Sequence, residues 1–273
     1  MLGLQLYTVR EHLAADPPAT LTAIRDAGYA HVECMDVEQV PTLRPLCDDL
    51  GLAIRGSFYN WGLVTGNAER IAAALPEMAP RRSFAETLDL AAAHGLTHVV
   101  FGYLLPFERG TVADYQRLCE HLNRAGEAAR ARGLQHAYHH HSFEFAPLDA
   151  AGTRGWDVLL RELDPALTPF EADVFWLRLG GQNPVTLLRE HADRVRLLHL
   201  KDVAPDATPD FDEAAVPAAA FRDVGAGALD FPALLAAAGE VDYVAVERDL
   251  GPDRLAGAAR SAGFLLEGDL LGG

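Results

Sequence analysis

A chain of 273 residues, 49% hydrophobic and 23% charged, holds enough apolar material for one large core or two small ones, which excludes a disordered or fibrous protein. Its 39 acidic against 23 basic side chains give a formal net charge of -16, so nucleic acid and anionic membrane surfaces are not expected as partners. No apolar run approaches the ~20 residues that cross a bilayer, Met1 leads straight into Leu2-Gly3-Leu4 without a basic leader, and Cys34, Cys47 and Cys119 are odd in number and far apart; a cytoplasmic protein with reduced thiols is expected.

Short β-rich runs alternate with Ala/Leu-rich stretches of helical spacing, the pattern of βα units and a parallel sheet. In chain order, strands are predicted at 2–7, 30–34, 53–57, 97–101, 134–140, 168–173, 195–200 and 242–246. Gly28, Gly51, Gly95 and Gly133 stand where helices should stop before the next strand, and Pro17, Pro41 and Pro184 where helices should begin. Two longer connections, 58–79 and 203–229, both follow strand ends. Nothing in the composition divides the chain, so the prediction is α/β: a single (β/α)8 TIM barrel spanning residues 1–273. Closure removes the unpaired edges that an open eight-stranded sheet would leave.

In such a barrel the chemistry lies where strands end and βα loops converge. The polar strand-end residues are Glu33; His139, His141 and Glu144; Asp173; His199, Lys201 and Asp202; and Glu247. Period two sends His139 and His141 to one face, with Glu144 just beyond; a merely polar strand end is the plainer reading of that segment. Asp173 closes an apolar run and needs either a cation or a helix N-terminus. His199 and Lys201 share a face, and Glu247 could instead form a surface ion pair with Arg248. Taken together, Glu144, Asp173, His199 and Glu247 make an oxygen and nitrogen donor set without thiolate, suited to Mn²⁺, Mg²⁺, Co²⁺ or Zn²⁺.

Five segments in order, Leu4-Gln5-Leu6-Tyr7-Thr8-Val9-Arg10, the run from His139 to Phe145, Asp173-Val174-Phe175-Trp176, His199-Leu200-Lys201-Asp202 and Val224-Gly225-Ala226-Gly227, resemble the xylose isomerase-like TIM-barrel superfamily, specifically its sugar phosphate isomerase/epimerase branch. The resemblance implies one divalent ion held by Glu144, Asp173, His199 and Glu247, and proton transfer beside a carbonyl through an enediolate. Glu144 and Glu247 would be the paired acid and base, with His141, Lys201, Trp176 and Glu33 contacting substrate. Trp176 and Pro205 stand where the superfamily's ketose 3-epimerases carry a histidine and an arginine, and Phe58 where members often carry a histidine. The expected function is therefore a divalent-metal-dependent isomerase or epimerase of a small carbohydrate. The alternative is a sugar or inosose dehydratase of the same superfamily, and after it a non-catalytic sugar-binding barrel. A phosphorylated substrate is disfavoured because no Gly-rich phosphate cradle stands out. Which sugar, which metal and whether the chain forms a homo-oligomer are left open by the sequence.

Overall fold

The computed structural model describes residues 1–271. Eight parallel strands close into a barrel: β1 (Leu2–Gln5), β2 (His31–Cys34), β3 (Ala53–Phe58), β4 (His98–Phe101), β5 (Gln135–His139), β6 (Phe170–Asp173), β7 (Val195–Leu200) and, after a short β8 (Asp202–Val203) and β9 (Phe221–Arg222), β10 (Tyr243–Val246). The barrel runs β1-β10-β7-β6-β5-β4-β3-β2 and returns to β1, while β8 and β9 pair antiparallel outside it. Each predicted strand is present. The predicted first strand is shorter than its apolar run, because the Gln5 side chain accepts the Tyr7 N–H and turns Leu6–Val9 into a 3-10 helix.

Strand alternation sorts the side chains. Leu4, Val32, Ile54, Val99, Tyr138, Ala172, Leu198 and Val244 belong to the large core between strands and helices. Phe58, Val100, Ala137, Leu197 and Tyr243 form a separate apolar plug inside the barrel. Gly56 makes room for that plug, since a Cβ there would overlap the Tyr243 hydroxyl.

Helix punctuation follows local chemistry. Asp16 and Asn183 cap the helices opened by Pro17 and Pro184, accepting the Ala19 and Thr186 N–H groups. Gly51 adopts φ 70° past the helix Val40–Leu50, a left-handed turn that a side chain would strain. The first long connection holds short helices, Gly62–Thr65 and Ala68–Ala74, which the sequence did not signal. The second is folded back by the β8/β9 hairpin and pinned by Asp202, whose carboxylate accepts the N–H groups of Val203, Gly225, Gly227 and Leu229 at 2.8 to 3.2 Å. No helix among the described residues is long and apolar enough to cross a membrane.

Candidate metal and substrate site

The C-terminal ends of β5, β6, β7 and β10 converge on one point. His139 and Asp173 close β5 and β6, His199 lies one residue from the end of β7, and Glu247 follows β10. His199 Nδ1 is 2.9 Å from Glu247 Oε2 and 4.0 Å from Asp173 Oδ2, which is 3.9 Å from His139 Nε2. Four donors bound tetrahedrally at about 2.1 Å would stand about 3.4 Å apart; the donor atoms of His139, Asp173 and His199 lie within 4.8 Å of one another, and Glu247 stands beside them through His199. Three of the atoms, Asp173 Oδ2, His199 Nδ1 and Glu247 Oε2, are buried and make no hydrogen bond of ordinary geometry. Lys201 Nζ stands 3.1 Å from Asp173 Oδ2 and 2.9 Å from Glu247 Oε2, and a divalent ion would satisfy the lone pairs that remain on all three.

Asp173 serves two purposes at once. Its Oδ1 accepts the N–H groups of Phe175 and Trp176 at 2.9 and 3.0 Å, capping the helix Val174–Leu179, while Oδ2 faces the convergence point. The sequence offered a helix cap and a ligand as alternatives; the two oxygens divide the tasks.

Two further carboxylates hold the imidazoles from behind. Glu171, two residues before Asp173 on the same face of β6, places Oε2 3.1 Å from His139 Nδ1 and 3.3 Å from His199 Nε2. Glu33 Oε2 lies 2.6 Å from His199 Nε2, and Glu33 is fixed by the Tyr243 hydroxyl at 2.9 Å and the Gln5 amide at 3.1 Å. Carboxylates behind metal-facing imidazoles fix ring orientation and raise basicity. Burial disfavours a charged His199, but Glu171 and Glu33 overcome it and hold its pKa well above the usual value. Burial also opposes ionisation of Glu247, yet Lys201 and His199 bring it down to about 2. The set Glu33, Glu171 and His199 could also surround an ion, but Glu33 already has its partners in Tyr243, Gln5 and His199.

Two of the expected site residues lie away from the convergence point. Glu144 does not join the other three: Oε1 accepts the Tyr138 hydroxyl at 2.7 Å and Oε2 the His141 N–H at 2.9 Å, and among the described residues no contact ties it to Asp173, His199 or Glu247. Alternation along β5 aims Tyr138 away from the barrel axis, and Glu144 goes with it; burial pushes its pKa up to about 8. Glu33 backs His199 and is not among the residues lining the cavity. His139 takes the place expected for Glu144, a residue the period-two argument had put on the mouth-facing side. Glu171 was missed, although its spacing from Asp173 carries the same signal.

His139 and Glu247 line a cavity of about 680 Å³, while Asp173 and His199 are not among its lining residues. Lys201, His141 and Trp176 line it, as the sequence suggested. Lys201 Nζ is 3.1 Å from Asp173, 2.9 Å from Glu247 and 2.9 Å from Asp249; burial alone would neutralise it, but these carboxylates hold its pKa well above normal. Glu247 forms no pair with Arg248, which turns to Asp223 at 2.6 Å.

A family model described as the xylose isomerase-like TIM barrel matches residues 21–267. The chain belongs to that family. Among curated members with similar sequences, an inosose dehydratase of Geobacillus kaustophilus is 26% identical over 255 residues, covering 85% of this chain and 80% of that one. A second, of Geobacillus thermodenitrificans, is 30% identical over 151 residues, about half of each chain. Solved structures repeat the xylose isomerase-like fold: a sugar phosphate isomerase/epimerase from Parabacteroides distasonis has a TM-score of 0.79 at 23% identity, covering 99% of this chain and 94% of that one. The IolI protein, solved with a bound zinc atom, has a TM-score of 0.72 at 16% identity, covering 98% and 97%. Buried His, Asp and Glu groups compatible with a divalent ion are thus found here on the same fold.

Proposed function

We propose that this xylose isomerase-like barrel is a divalent-metal-dependent enzyme that removes a proton beside the carbonyl of a keto-sugar or cyclitol and then loses water from the neighbouring carbon. The observation that carries the reading is the cluster of His139, Asp173 and His199, with Glu247 beside it, under a cavity that His139 and Glu247 line. A cation held there supplies the Lewis acidity that makes a C–H next to a carbonyl acidic and steadies the enediolate charge. Glu247, which lines the cavity beside Lys201, is the base. The Lys201 ammonium holds a substrate oxygen, and His141 and Trp176 position the ring. The apolar plug below excludes water from the floor. The similarity to inosose dehydratases supports loss of water as the outcome.

Epimerisation or ketose–aldose exchange is the second reading. It needs a group to return the proton from the other side of the ring, and Glu144 is withdrawn from that task. His141, at the β5 side of the mouth, is the residue that keeps this outcome open. Incubating the Mn²⁺-loaded protein with keto-sugars and inososes in D₂O tests both by NMR. A new enone or diketone with water lost is the expected product; deuterium at one carbon of an intact skeleton would indicate the isomerase. Neither product from any substrate, with metal bound, would overturn the enzymatic reading.

A further inference from the structure

The cavity is larger and more aromatic than the chemistry at its floor requires. A volume of about 680 Å³ lies well inside the range of roughly 300–1,000 Å³ for sites that enclose drug-sized ligands, whereas one polyol ring is served by the floor residues alone. Trp61, Tyr103 and Phe221 wall the cavity from the surrounding loops, and Tyr7 and Leu250 stand at its rim. The two rim residues are 40% and 36% exposed, among the few large apolar side chains left open to solvent. The wall offers ring faces: Trp61 Nε1 donates to Glu108 Oε2 at 3.2 Å, and its indole is braced edge-on against Tyr103 at 5.3 Å. Phe221 is stacked on Phe175 at 4.4 Å.

Charge in this region is negative. Asp36, Glu213 and Asp249 line the cavity, and Lys201, the only Lys or Arg among its lining residues, is already beside three carboxylates. Glu213 comes in on the long 203–229 connection, with Oε2 3.5 Å from His141 Nε2; burial pushes its pKa up, while the Tyr103 hydroxyl and the Arg109 and Lys201 charges favour its ionised form.

We propose that the outer half of the cavity is a second subsite for a neutral ring or apolar substituent carried by the substrate, and that Glu213 bars phosphate esters from it. The proposal rests on the keto-sugar or cyclitol reading above. Aromatic faces stack on the C–H face of a sugar or on another ring, while a phosphate dianion close to a carboxylate is repelled.

Isothermal calorimetry of the full chain, with and without Mn²⁺, tests this using methyl β-glucoside, phenyl β-glucoside, glucose and glucose 6-phosphate as probes. The phenyl glucoside should bind about tenfold more tightly than the methyl glucoside. Trp61→Ala should erase that advantage and Trp61→Phe should keep most of it, which separates a lost ring face from a lost fold. Glucose 6-phosphate should bind more weakly than glucose, and Glu213→Gln should narrow the gap. Equal affinity for the two glucosides, tighter binding of the phosphate ester, or no binding of any probe would overturn the subsite. Because affinity is read without turnover, an aryl preference with no product in D₂O would sink the reaction alone, and turnover without that preference would sink the subsite alone.

Discussion

The imidazoles of His139 and His199 owe their aim to Glu171 and Glu33, neither of which faces the cavity. Removing the carboxylate behind a metal-binding histidine costs typically 10–100-fold in affinity. Glu33→Gln should therefore weaken Mn²⁺ or Zn²⁺ binding by about that factor in a chelator-competition titration, while Glu144→Gln should leave it unchanged. Equal losses in both variants would return Glu144 to the ion. At this scale the sequence was informative in proportion to local periodicity. Asp173 and His199 lie at the last steps of the alternation in β6 and β7 and Glu247 directly follows β10, so alternation turns all three inward. Glu144 lies five residues past His139, beyond the strand, where no periodicity applies and a 3-10 turn, Phe143–Phe145, decides its direction.

Among the elements, the eight strands and most helix ends were legible because proline, glycine and Asx caps act within three or four residues. The connection 203–229 was legible only as a long loop, since its shape depends on contacts between Asp202 and glycines more than twenty residues away. A Cβ at Gly227 would overlap the Asp202 carboxylate. Asp202→Ala strands four N–H groups at once, each worth roughly 1 kcal/mol. Faster hydrogen exchange at Gly225, Gly227 and Leu229 is expected, with protection in β1 to β7 retained. Glu213 hangs from this connection, so the same variant should also blunt the discrimination against glucose 6-phosphate.

The molecule as a whole carries buried histidines that burial keeps neutral. His136, hydrogen bonded with Tyr59 at 2.8 Å and Thr168 at 3.0 Å, is pushed down to about 3, and His31 to about 4. Their folded pKa lies below the unfolded value of about 6.5, so the unfolded chain takes up protons first; the contribution is whole above that pH and is lost as pH falls toward the folded pKa. Between pH 7 and pH 5 one such group costs about 2 kcal/mol. In urea titrations, His136→Gln should accordingly gain about that much on the wild type over the same interval. A constant difference between the two proteins would mean that His136 takes up its proton equally readily in the folded and unfolded chain.

Tyr243 belongs to the plug that fills the barrel, yet its hydroxyl steadies Glu33 and, through it, His199. The cation's surroundings are thus anchored in hydrocarbon on the side away from the substrate, and the keystone is a hydrogen atom: the one that Gly56 carries instead of a methyl group. Lengthening that position by a single carbon would evict the phenol and leave the imidazole free to swivel. A residue with no reactivity of its own thereby sets the tolerance to which the chemistry is built.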